Sequence, residues 1–102
     1  MAANEGRSSY HFDLALVYLQ VGRREQAREQ FGLAVKTERQ KFMKKYLEAE
    51  ALINLYPTDY ERLLEARSLL KRSIELKPRY APARKKLQDL DQAINDLGEP
   101  AN

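Results

Sequence analysis

Apolar and polar positions alternate along this chain with a helical period almost from end to end. Apolar or ring-bearing residues recur at His11, Leu14, Ala15 and Tyr18, steps of three and four that fall on one face of a helix. Ser8 or Ser9 is expected to cap that helix, which runs to about Gln20. Val21-Gly22 ends it, because glycine can take the left-handed conformation favoured at a helix C-terminus. Ala27, Phe31 and Ala34 repeat the spacing and predict a second helix over about 24–36. Neither helix can bury its stripe alone, so the two are expected to fold back on each other as a hairpin.

From Leu33 to Tyr56 there is neither proline nor glycine, and one long helix is conceivable. Thr37-Glu38-Arg39-Gln40, however, has the capping-box form, which predicts a break near Thr37 and a third helix from about Glu38 to Leu55. Its stripe is Phe42, Tyr46, Ala49, Ile53 and Tyr56, and its basic first turn, Lys41 to Lys45, is expected to project beyond the stack. Pro57 stops the third helix, and Thr58-Asp59-Tyr60-Glu61 forms a second capping box. The fourth helix carries Leu63, Leu64, Ala66, Leu70, Ser73, Ile74 and Leu76 and closes at Lys77-Pro78. Pro82 opens a fifth, with Ala83, Leu87, Leu90, Ile94 and Leu97 inward and Lys85, Lys86, Asp89, Gln92 and Asp96 outward, before Gly98 and Pro100 end it. A polar outer face is what a terminal, solvating helix needs.

Leu14, Tyr18, Ala27, Phe31 and Ala34, with Gly22 at the turn, resemble the signature of the tetratricopeptide repeat. His11 replaces the large aromatic of that pattern, Ala15 its glycine, and Arg39 its closing proline. Ala66, Leu70, Ser73 and Pro78 match the second-helix spacing of a further repeat, and SIELKPRYAPA looks like an inter-repeat junction. The first half of that repeat fits if Ala49, Leu52, Ile53 and Tyr56 take the first-helix positions, with one extra residue in the turn. The resemblance implies an all-α array of five helices, a fragment of an α-solenoid: a repeat over 8–40, a degenerate repeat over 41–80 and a capping helix over 81–97. Residues 1–7 and 98–102 are expected to be tails, the first of them disordered.

Composition narrows the function classes. The length suits one domain with a modest core. The absence of cysteine removes disulfides, thiolate catalysis and most structural zinc sites. The formal net charge of +3 is too mild to imply nucleic acid by itself. No apolar run approaches the roughly 18 residues of a membrane span, and the first residues lack a signal-peptide layout. The reading is a cytoplasmic protein.

Catalysis has no constellation to rest on. His11 is the only histidine, and Asp13, two residues away, points to another side of the helix. His11 is expected to fill the gap between helices. Glu48 and Glu50, and likewise Asp89 and Asp91, diverge around their helices, and no glycine-rich phosphate loop is present. No cofactor or metal is expected, and the chain reads as a non-enzyme.

In the tetratricopeptide family the first helices of successive repeats line a concave groove for an extended peptide or a helix. Position by position, this resemblance implies a partner site at Ser9, Phe12, Leu16, Leu19 and Gln20 from the first repeat and Leu47, Glu50 and Asn54 from the second. Phe12, Leu16 and Leu19 form an apolar strip apart from the Leu14–Tyr18 stripe. That strip suits either a partner or internal packing against later helices. The family's best-known clamp holds a C-terminal carboxylate with lysine and asparagine. Phe12 and Leu16 occupy matching positions here, so an apolar or amphipathic ligand, protein or peptide, fits better. Two alternatives stand beside this scaffold reading. One is self-association into a homodimer through Tyr10, Phe12 and the Leu16–Leu19 strip. The other is binding of a polyanion such as nucleic acid through two basic clusters, chiefly Lys41, Lys44, Lys45, Arg79, Arg84 and Lys85. Glu38 dilutes the first cluster, and no aromatic interleaving of the kind that stacks bases accompanies either.

Overall fold

A computed structural model describes residues 7–98. Over that span the chain forms five helices and no strand: α1 (Arg7–Gln20), α2 (Arg24–Thr37), α3 (Lys41–Leu55), α4 (Tyr60–Leu76) and α5 (Ala81–Leu97). The expected disordered tail at 1–7 falls outside the described residues except for Arg7, which opens α1. Residues 99–102 of the expected C-terminal tail also lie outside them.

The turn after α1 forms as its glycine requires. Gly22 sits at φ 82°, its N–H donates to the Leu19 carbonyl at 3.1 Å, and the Arg23 N–H donates to that of Tyr18 at 2.8 Å. These two bonds close the helix end in a Schellman motif and satisfy carbonyls that the last turn leaves free. The chain then reverses, and α2 packs along α1.

Small residues set how closely the helices approach. Ala15, Ala27, Ala34, Ala49, Ala66 and Ala83 are all completely buried. An alanine at a crossing lets helix axes come near each other while larger neighbours fill the flanks. Two clusters result. One gathers Ala15, Ala27, Phe31 and Leu55, so that α3 contributes to the core of the first hairpin. The other gathers Ala49, Leu63, Ala66, Leu70, Ala83, Leu90 and Ile94 from α3, α4 and α5. α3 therefore serves both clusters and joins the two halves.

The chain does break near Thr37, but not by a capping box. The Thr37 hydroxyl donates back to the Leu33 carbonyl at 2.8 Å and so finishes α2 rather than starting α3. Gln40, the N-cap of α3, makes no side-chain capping bond. Glu38 takes over instead: its Oε2 accepts from the N–H groups of both Arg39 and Gln40 at 3.1 Å. α3 consequently begins at Lys41, three residues later than the spacing predicts. The second box also shifts by one residue, since Asp59 rather than Thr58 accepts from the Arg62 N–H at 3.2 Å. Ser8 and Ser9 lie within the first turn of α1, and the Ser8 hydroxyl is bonded across to Glu38.

The basic first turn of α3 does not project from the stack. The Phe42 ring meets Tyr80 edge-on at 5.0 Å, and the buried Ser73 hydroxyl donates to the Phe42 carbonyl at 2.8 Å. Burial of a hydroxyl without a partner would be costly, and this bond both satisfies Ser73 and ties α4 to α3. The outer face of α5 is polar as expected, except that Lys86 turns in toward α3.

Candidate partner-binding groove

α1, the α2–α3 link, α3 and the residue before α5 line a cleft of about 640 Å³. Its walls are built from residues that helical spacing places on one side. Ser8, Ser9 and Phe12 come from α1, while Met43, Tyr46, Leu47 and Glu50 from α3 follow one another at steps of three, one and three. Thr37, Glu38, Arg39 and Gln40 close one end, and Tyr80, immediately before α5, closes the other wall.

Two carboxylates organise the cleft. Glu38 Oε1 accepts from the Ser8 hydroxyl at 2.7 Å, while Oε2 holds the backbone of the link. Glu50 is only 8% exposed. A charge so placed requires partners to offset its lost hydration. Its Oε2 accepts from the Tyr46 hydroxyl at 2.6 Å. Its Oε1 has longer contacts only, Asn54 Nδ2 at 3.4 Å and Lys86 Nζ at 3.5 Å. The same Asn54 amide makes its shorter bond, 2.8 Å, to the Glu50 carbonyl.

Aromatic rings form the remaining wall. Tyr80 lies edge-on to Tyr46 at 5.3 Å as well as to Phe42, and its hydroxyl donates to Met43 Sδ at 3.6 Å. Burial raises the pKa of the Tyr46 hydroxyl well above its ordinary value, and the hydrogen bond and negative charge of Glu50 raise it further. Burial raises that of Tyr80 too, followed by the charges of Glu50 and Glu38. Both rings therefore face the cleft as neutral phenols across the physiological range.

The cleft brings together four of the eight residues expected to bind a partner: Ser9, Phe12, Leu47 and Glu50. The others are placed elsewhere. Leu16 and Leu19 are half-buried against the core cluster of the first hairpin, Gln20 is exposed at the end of α1, and Asn54 stands one helical turn beyond Glu50. Phe12 has a double role, since it also meets Phe31 edge-on at 5.5 Å. Glu38, Met43, Tyr46 and Tyr80 were not singled out for the groove from the sequence. Tyr46 carried a signal, being one turn from Glu50 on the same helix, whereas Tyr80 arrives from a distant junction and left none.

Of the residues suggested for polyanions, Lys45 pairs with Glu48 at 3.7 Å and Lys85 with Asp89 at 3.2 Å. Arg84 donates to the Pro78 carbonyl at 3.3 Å. Lys41 and Arg79 are exposed, and Lys44 joins Arg7, Lys36 and Arg39 around a shallow depression next to Glu38. His11 fills the interhelical gap as expected, with Nδ1 at 2.7 Å from Gln30 Oε1 and Tyr10 edge-on at 5.3 Å. Among the described residues, no helix is long and apolar enough to cross a membrane. Comparison of the chain with protein-family models, with curated proteins and with solved structures finds no match in any of the three.

Proposed function

We propose that this chain is a non-catalytic interaction module of tetratricopeptide-like design that holds a peptide or helix of a partner protein in the cleft between α1 and α3. The observation that carries the reading is the cleft itself. It lies between the first helices of two successive hairpins, and it combines apolar and aromatic walls with a few fixed polar groups. Binding clefts commonly have that composition, in which apolar area supplies affinity and placed polar groups supply orientation. In this reading the setting is cytoplasmic.

The test is affinity capture from the native lysate with wild-type protein and with Ser9→Trp. Ser9 is exposed and lines the cleft, so a large ring there obstructs it without entering the core. Protein partners that survive high salt and nuclease and are lost on Ser9→Trp support the groove. Capture that is identical for both proteins, or that vanishes with nuclease, overturns it, and the second result moves the basic clusters to the front.

Self-association is the second reading, and one observation favours it. Tyr10 and Val17 on α1 and Val21 in the turn that follows are 62%, 51% and 62% exposed, and Leu14 among them is half-buried. They follow one another at steps of four, three and four, and none of them lines the cleft. A mass that rises with concentration, measured by light scattering, supports this reading, and a constant monomer mass overturns it.

A further inference from the structure

We propose that the cleft selects a basic side chain, best an arginine, from the partner's peptide, and that Lys86 occupies the cation position while the cleft is empty. This rests on the groove reading above and specifies the chemistry of its ligand. Glu50, a carboxylate 8% exposed, lines the cleft. One of its oxygens is engaged by Tyr46 at 2.6 Å, whereas the other has only the long contacts to Asn54 and Lys86, at 3.4 and 3.5 Å. A charge-assisted hydrogen bond between an N–H cation and a carboxylate typically closes to about 2.7–2.9 Å. Oε1 therefore retains capacity for a shorter, stronger donor.

The surroundings suit a planar cation. Phe12, Tyr46 and Tyr80 all line the cleft, and arginine pairs with aromatic rings as well as with carboxylates. Both tyrosines are neutral at physiological pH, and burial and the neighbouring carboxylates raise their pKa values further above the ordinary 10.0. Glu38 adds a second carboxylate to the lining, but Arg7, Lys36, Arg39 and Lys44 gather around it, so Glu50 is the carboxylate that addresses the ligand. Lys86 is displaceable: its side chain is 32% exposed against 11% for that of Glu50, and a lysine regains hydration readily once it swings outward. A ligand guanidinium arriving at Oε1 would thus exchange one ion pair for another, with no buried charge left unpaired.

The same chemistry disfavours an acidic ligand. A carboxylate brought up to Glu50 would meet a like charge whose ion pair with Lys86 is already made, and like charges placed together oppose binding. The overall charge of +3 does not decide the matter, because a buried local pair is screened less than the distant surface charges.

The test uses three blocked peptides, acetyl-Gly-Ala-X-Ala-Gly-amide with X arginine, leucine or glutamate, titrated into the full chain and followed by amide chemical shifts. The arginine peptide is expected to move the signals of Tyr46, Glu50 and Tyr80 and to bind about tenfold more tightly than the other two. Glu50→Gln is expected to remove that preference. Lys86→Met is expected to strengthen arginine binding several-fold, because it deletes the internal competitor; a purely structural ion pair would give no such gain. Equal binding of all three peptides, or preference for leucine or glutamate, overturns this inference and leaves the groove intact. No shift at the cleft with any peptide overturns both. Unchanged or weaker arginine binding by folded Lys86→Met also overturns the proposed exchange.

Discussion

The Ser8 hydroxyl on α1 donates to Glu38 Oε1 at 2.7 Å, across thirty residues of chain. Glu38 is at the same time the residue whose other oxygen holds the two amides that lead into α3. One carboxylate thus fixes the start of α1 against the break between the two hairpins. Glu38→Ala leaves the buried Ser8 hydroxyl and two backbone donors to find other partners. It is expected to cost about 1–3 kcal/mol in urea denaturation. Thr37→Ala, which removes only a back-bond to Leu33, is expected to cost less than about 1 kcal/mol. The reverse order would restore Thr37 as the cap.

The register of the first hairpin is tested by Ala27→Leu. Ala27 is completely buried, as is Ala15 in the same cluster. Added methylenes must displace one helix from the other, at about 1–3 kcal/mol. A thermal melt that matches wild type would show that the helices do not meet there.

Gly22→Ala isolates a backbone effect. A Cβ at this position meets nothing within 4 Å, yet the residue sits at φ 82°. The expected loss is about 1–2 kcal/mol from the left-handed conformation alone. No loss would mean that the turn re-forms without it.

Leu16 and Ser9, both expected in the groove, should behave differently. Leu16 is half-buried on the first core cluster, so Leu16→Asp is expected to lower stability by about 1–3 kcal/mol. Ser9→Trp is expected to stay within about 0.5 kcal/mol of wild type while closing the cleft. Parallel denaturation curves for the two variants decide between core and site. If Leu16→Asp melts like wild type, the strip on α1 faces a partner after all.

Alkaline pH probes the cleft directly. Tyr46 and Tyr80 hold their phenolic protons more tightly in the folded chain than in the unfolded one, whose tyrosines titrate near 10.0. Their contribution to stability is therefore complete below that pH and is lost as the pH rises from there through the raised folded values. Ultraviolet titration of the folded protein should show part of the phenolate signal of its six tyrosines delayed. Tyr46→Phe should remove part of that delay, and a single transition near 10.0 in the wild type would show that the cleft does not bury them.

Much of the architecture was legible because it depends on interactions within one or two helical turns. The three-and-four spacing of Ala27, Phe31 and Ala34 assigns the inward face of α2, Gly22 ends α1 by its backbone freedom, and Pro57 and Pro78 stop α3 and α4. The same local rules misplaced the caps. Thr37 and Glu38 are adjacent competitors for the same turn, and Glu38 is also bonded by Ser8, which spacing along the chain does not bring into view.

The cleft depends on the tertiary structure in the same way. The family resemblance puts Glu50 in the groove but gives it no partner, and Lys86 reads in the sequence as part of a solvated outer face. Packing of α5 on α4, and of α4 on α3, brings the ammonium to 3.5 Å from Glu50, and Tyr80 reaches Met43 across thirty-seven residues. The sequence by itself determined the five helices, apart from the residues at their ends, and the inward face of α2, because periodicity and chain-breaking residues act locally. Only the tertiary structure decided which polar side chains face one another, because their burial and partners arise when separate hairpins pack together.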